Sequence, residues 1–199
     1  MSDPRLWQSR LRLMLLVGIM ATTGCGTSPD ETARIEPIYD PANGRLQLLK
    51  YDATGDGKID TWSYMDGARV LRIEIDRDQD NQIDRWEYYG PDQQIEKIGA
   101  SRARDGKVDS WAYYAADGSM TRLEISTRRD GKVDRVEYYE KGGMIRAEED
   151  TSGDGRIDKW EVYEGARLAS VAFDTTLRGS PDRRLVYGLN GDAKVEVIP

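Results

Sequence analysis

The chain has 199 residues, of which 33% are charged and 38% hydrophobic, with a formal net charge of −7, one cysteine and no histidine. That is enough for one or two ordinary domains, without a large buried core. With no His, and its only Cys at position 25, the chain lacks the means for a zinc site, a disulfide framework, or a Ser-His-Asp or Cys-His catalytic unit. Its acidic surface disfavours nucleic acid and anionic lipid head groups as partners and suits cations instead.

The N-terminus reads as a secretory signal over residues 1–24. Arg5, Arg10 and Arg12 flank the start of an apolar run from Leu11 to Met20, which ends in Ala21-Thr22-Thr23-Gly24 and is too short to span a membrane as a mature helix. Cys25 follows the small residue Gly24 directly, and the segment resembles the lipobox of bacterial lipoproteins, with Thr22 where that family has Leu. The resemblance implies cleavage before Cys25, a diacylated sulfur, and attachment to a membrane through that lipid. Gly26 in place of Asp implies outer-membrane sorting in a host with two membranes, hence a cell envelope or cell-surface location. The alternative is a plain secretory signal with an incidental thiol. Removal of residues 1–24 takes away three arginines and one aspartate and leaves a net charge of −9. Residues 25–34, small and polar at first, suit a flexible linker.

From residue 35 to 199 the sequence predicts β-hairpin repeats of 24–25 residues. Residues 35–51 form a half-repeat, and repeats begin near Asp52, Asp76, Ser101, Ser126, Asp150 and Asp174. Each opens with an acidic loop and continues into a segment such as Ile59–Tyr64 or Val108–Tyr114, rich in β-branched and aromatic residues, as strands are. A turn then follows at Asp66-Gly67, Gly90-Pro91-Asp92, Asp117-Gly118, Gly142-Gly143, Glu164-Gly165 or Asn190-Gly191, residues that tolerate positive φ. In the returning strand Leu71, Ile73 and Ile75 alternate with Arg72 and Glu74, giving one apolar and one charged face. Two strands are marginal alone, so the units must join edge to edge. The expected fold is all-β: an elongated antiparallel meander of about a dozen strands. The hairpins are similar to membrane occupation and recognition nexus repeats.

The loops carry the chemistry. A hard divalent cation wants about six to eight oxygen ligands. In the second loop Asp76, Asp78, Asp80, the Gln82 carbonyl, Asp84 and Glu87 stand at positions 1, 3, 5, 7, 9 and 12, with Asn81 where a sharp turn usually takes Gly. This spacing resembles the EF-hand calcium loop and implies Ca2+ as the ion. The fifth loop offers Asp150, Ser152, Asp154, the Arg156 carbonyl, Asp158 and Glu161, and the first offers Asp52, Thr54, Asp56, the Lys58 carbonyl and Asp60 but ends in Ser63. The third, fourth and sixth loops have lost ligands or gained Arg128, Arg129 and Arg178, and are expected to be free of metal. Position 9 is Asp in all six, including those three, so it must also have a metal-independent task in the turn.

Trp62, Trp86, Trp111 and Trp160 recur at position 11 and read as the core stripe of the sheet, or else as an exposed platform for a protein, glycan or cell-wall partner. Acids spread evenly over six units single out no asymmetric catalytic pair, so the chain is expected to be no enzyme. The expected function is that of a lipid-anchored calcium-binding repeat protein; a metal-independent surface scaffold is the alternative.

Overall fold

A computed structural model of the protein describes residues 34–198. The expected signal peptide, Cys25 and all of the linker but Arg34 lie outside the described residues. The rest is all-β, one sheet of fourteen antiparallel strands whose spatial order is their sequence order. The strands are β1 (Ile35–Tyr39), β2 (Leu46–Tyr51), β3 (Thr61–Asp66), β4 (Arg69–Ile75), β5 (Arg85–Tyr89), β6 (Ile95–Ala100), β7 (Ser110–Tyr114), β8 (Met120–Ile125), β9 (Arg135–Glu140), β10 (Gly143–Glu149), β11 (Lys159–Glu164), β12 (Arg167–Phe173), β13 (Arg183–Tyr187) and β14 (Ala193–Val197). The count exceeds a dozen because residues 35–51 form a complete hairpin. Alternating connections in a meander fall at opposite ends, so the six acidic loops share one end of the sheet and the short turns the other.

Substantial contacts run only between neighbouring strands, so among the described residues no second layer covers either face. The buried apolar side chains are few: Ile125, Ala147, Ala169, Val171 and Ala172. Cross-strand register sorts the faces. Ile73, Glu87, Ile98, Ala112, Leu123, Glu137, Ala147, Glu161 and Val171 stand opposite one another in a row, with Ile75, Ile125 and Phe173 on the same side. The tryptophans belong to the other face, in a row that runs Trp62, Glu74, Trp86, Gly99, Trp111, Glu124. They are half-buried there and do not form the core stripe of the sheet.

That aromatic face is held together by cross-strand ladders. The Arg72 guanidinium lies 3.7 Å from the Tyr64 ring centroid, Arg122 lies 4.2 Å from Tyr113 and Arg146 3.5 Å from Tyr138, while the Lys97 ammonium sits between Tyr88 and Trp111 at 4.7 and 4.6 Å. Such contacts contribute about 0.5–1 kcal/mol each at exposed sites. The Tyr64 and Tyr113 hydroxyls donate to Glu74 at 2.9 Å and Glu124 at 2.8 Å. Gly99 makes room for this row: a Cβ there would stand 2.8 Å from the Trp111 ring.

A feature with no sequence signature recurs in six of the seven hairpins. One extra residue, Gln47, Leu71, Glu96, Thr121, Ile145 or Ala169, interrupts the register of the second strand at the same level. A bulge of this kind breaks the alternation and adds twist. Leu71 is therefore not part of the face that holds Ile73 and Ile75, and it is 41% exposed.

Candidate metal centre

The six loops share one backbone design, in which the first and ninth residues do most of the work. The N–H of position 9 donates to the carbonyl of the residue before the loop, as from Asp84 to Ile75 at 2.8 Å and from Asp158 to Glu149 at 3.0 Å. From the second loop on, the N–H of position 1 donates to the carbonyl of position 9 in the preceding loop, as from Asp76 to Asp60 at 2.9 Å and from Asp174 to Asp158 at 2.9 Å. The loops thereby stack along one edge as a polar spine. All six position-1 residues are buried, and Asp134 is the largest fully buried side chain among the described residues. The position-9 carboxylate accepts N–H groups from the second or third loop residue: Arg77 to Asp84 at 2.8 Å, Ala103 to Asp109 at 2.9 Å, Thr151 to Asp158 at 2.9 Å. This is the metal-independent task of the invariant Asp. Positions 4 and 6 take positive φ in every loop, the fourth even where it is Gln79, Arg104, Arg129 or Leu177.

Within this design the first and fifth loops consume their own acids. Asp52 accepts the N–H groups of Gly55 at 2.6 Å and Gly57 at 2.8 Å and the Thr54 hydroxyl at 3.3 Å. Asp150 repeats the pattern with Gly153 at 2.6 Å, Gly155 at 2.8 Å and Ser152 at 3.2 Å. Burial works to raise both carboxyls, but these donors outweigh it and hold both below the usual range. Asp60 and Asp158 are engaged likewise by Ala53 at 3.0 Å and Ser152 at 2.9 Å. The Arg128 guanidinium also reaches from the fourth loop to the carbonyl of Asp150 at 3.1 Å. Among the described residues the acids of neither loop come together as a group of three within 4.8 Å, as those of the second loop do.

The second loop differs at two positions. Position 3 is Asp78, which cannot donate to Asp76 as Thr54 and Ser152 do to their partners, and position 4 is Gln79 in place of Gly. Asp76 is 3% exposed; its Oδ2 accepts the N–H of Asn81 at 2.9 Å, and its buried Oδ1 has no hydrogen-bond partner. Oxygens of Asp76, Asp78 and Asp84 all lie within 4.8 Å of one another. At that separation each pair of charges repels by about 3 kcal/mol at an effective dielectric of about 20. Among the described residues the salt bridge to this group comes from Arg104 of the third loop, 3.4 Å from Asp78 and with a 73% exposed side chain. Among the described residues the Gln82 carbonyl accepts no backbone hydrogen bond. Asp80 faces elsewhere, accepting the N–H of Gln82 at 2.8 Å and its side-chain amide at 3.2 Å. Three carboxylates, one carbonyl and water fit the hard-oxygen preference of a divalent cation.

The position-12 glutamates belong to a different structure. The Glu87 carboxylate accepts Arg85 Nε at 2.6 Å and the Tyr89 hydroxyl at 2.7 Å. Glu161 accepts Arg135 at 2.8 Å, Lys159 at 2.7 Å and the Tyr163 hydroxyl at 3.0 Å. The reason is the strand. A helix after the loop curls position 12 back toward the ion, whereas a strand rises about 3.3 Å per residue and carries it about 10 Å beyond position 9. Arg135 is the hub of this network, also bonding Glu137 at 2.8 Å and Glu149 at 2.9 Å. Burial works to raise the Glu161 carboxyl, yet Arg135 and Lys159 pull it down to about 2. Burial and Glu87 together push the Tyr89 hydroxyl well above its usual range.

No protein-family model matches the chain, and no curated protein matches it. Solved structures show partial likenesses. The crystal structure of TarM aligns at a TM-score of 0.38 and 10% identity over 48% of this chain and 18% of that one. A GtfA/B complex bound to UDP and GlcNAc aligns at 0.38 and 14% identity, covering 53% and 21%. Accessory secretory protein 1, 2 and 3 of Streptococcus pneumoniae aligns at 0.22 and 18% identity, covering 65% and 19%. The chain thus spans about a fifth of the length of these structures, and likenesses of this size carry no argument about activity.

Proposed function

We propose that the chain is a non-enzymatic, calcium-binding β-repeat protein of the cell envelope, held to a membrane by lipid on Cys25 and binding its ion in the second loop. The observation that carries this reading is the convergence of Asp76, Asp78 and Asp84, with Asp76 buried and its Oδ1 without a hydrogen-bond partner. A cation there relieves the repulsion of three carboxylates and stiffens the joint between β4 and β5. Sites of this type outside the cell work at dissociation constants on the order of 10⁻⁴ to 10⁻³ M, because ambient calcium can be high there.

Calorimetric titration and thermal melts of the protein in up to about 10 mM calcium test it. Binding in that range stabilises by about 1.4 to 2.7 kcal/mol at the highest concentration, and Trp86, beside the loop, reports it by fluorescence. Asp78→Asn removes the response without unfolding the loop, since among the described residues Asp78 accepts no backbone hydrogen bond and pairs with the exposed Arg104. A flat titration defeats the calcium reading. It leaves the scaffold reading, whose support is the half-buried aromatic face that no layer covers among the described residues. For the anchor, Cys25→Ser is expected to release the protein to the soluble fraction; retention on the membrane refutes lipidation.

A further inference from the structure

The two outer strands of the sheet are unlike. In β1 the carbonyl of Arg34 accepts from Asp52, so Arg34, Glu36 and Ile38 turn their backbone groups toward β2, and Ile35, Pro37 and Tyr39 turn theirs outward. Pro37 therefore places a missing N–H in the middle of the outward edge, a device that blunts pairing with another strand. In β14 the N–H of Ile198 donates to Asp182, so Lys194 and Glu196 turn toward β13 and Ala193, Val195 and Val197 turn outward with every N–H present. Val195 is 64% and Val197 70% exposed.

We propose that β14 is a self-pairing edge through which two copies of this chain form a twofold dimer. The sequence of the strand fixes the register. Antiparallel pairing centred on Val195 sets Val195 against Val195, Ala193 against Val197, and Lys194 against Glu196 of the second copy, twice by symmetry. The outward-turned residues then all meet as hydrogen-bonded pairs, which is the geometry an antiparallel ladder needs. Valines gather on one face, and two opposite-charge pairs form on the other. In the monomer Lys194 has only an exposed contact of 3.4 Å with Glu196 of its own strand. Head-to-tail growth is disfavoured: continuing the meander register sets Val197 against Ile35, which puts Glu196 opposite Glu36 and Val195 opposite Pro37. The isologous pairing closes on itself and the heterologous one does not, so the edge chemistry selects a dimer over a fibre.

Sedimentation equilibrium of the full-length protein in calcium-free buffer, from about 1 μM to 1 mM, reads the assembly independently of the cation site. A concentration-dependent dimer is expected. Val195→Pro removes an N–H that no strand of the same copy uses, so the variant folds with unchanged melting but remains monomeric. Lys194→Glu and Glu196→Lys each weaken self-association by about tenfold or more, since each brings like charges together. Mixed in equal amounts, the two variants restore the dimer, because every opposed pair is again of opposite sign. A monomer at all concentrations, a dimer unaffected by Val195→Pro, or a mixture no stronger than its components overturns the proposal.

Discussion

The second and fifth loops have nearly the same spacing of acids and different fates. In the fifth, a hydroxyl at position 3 and a glycine N–H at position 4 satisfy one oxygen of Asp150, and the N–H of Gly155 satisfies the other. In the second, Asp78 and Gln79 supply neither donor, and Asp76 Oδ1 is left without a partner in a residue that belongs to a group of three carboxylates. The second loop is set apart by the unpartnered Asp76 Oδ1 and by Asp78 at position 3, while Asp84 is engaged by Arg77 as its counterparts are by their own loops. The same motif elsewhere in the chain is a way of folding a loop.

The largest expected effect tests whether position 12 of the fifth loop belongs to the sheet. Arg135→Ala takes the cation from Glu137 and leaves Glu149 and Glu161 to share Lys159, and is expected to cost about 3–5 kcal/mol in urea unfolding, equally with calcium and with chelator. Any calcium rescue would return Glu161 to the loop. Next is acid. The Glu161 carboxyl lies at about 2 against an ordinary 4.5, so its contribution is complete above pH 4.5 and is lost as pH falls toward 2. That loss is on the order of 2–3 kcal/mol, and Glu161→Gln should remove this portion of the acid transition.

Asp150→Ala deletes a carboxylate that closes its loop and is expected to cost about 1–3 kcal/mol whether or not calcium is present. Asp76→Asn should do the opposite in chelator, raising stability by about 1 kcal/mol as repulsion is relieved, while abolishing the gain from calcium. The smallest effect is the swap. Asp78→Ser makes the second loop resemble the fifth and removes its calcium dependence. Ser152→Asp gives the fifth a dependence of about 0.5–1 kcal/mol at most, because Gly153 still occupies Asp150. Melting temperatures in matched buffers measure both at about 2–4 °C per kcal/mol.

The sequence by itself determined the class of fold, the repeat period, the placement of loops and turns, and the invariant structural use of Asp at position 9. Those properties are local: turn residues, alternation and β-branched content act within a few residues of one another. It also marked the second loop as the most acid-rich of the six. Only the tertiary structure decided the bulges, the face on which the tryptophans lie, and which carboxylates remain free. Their causes are distant in the chain. Glu161 is claimed by Arg135, 26 residues away, and Asp150 is approached by Arg128, 22 residues away. The exit of each loop into a strand, where an EF-hand would have a helix, is what took position 12 away from the loop acids and left three aspartates grouped in the second loop.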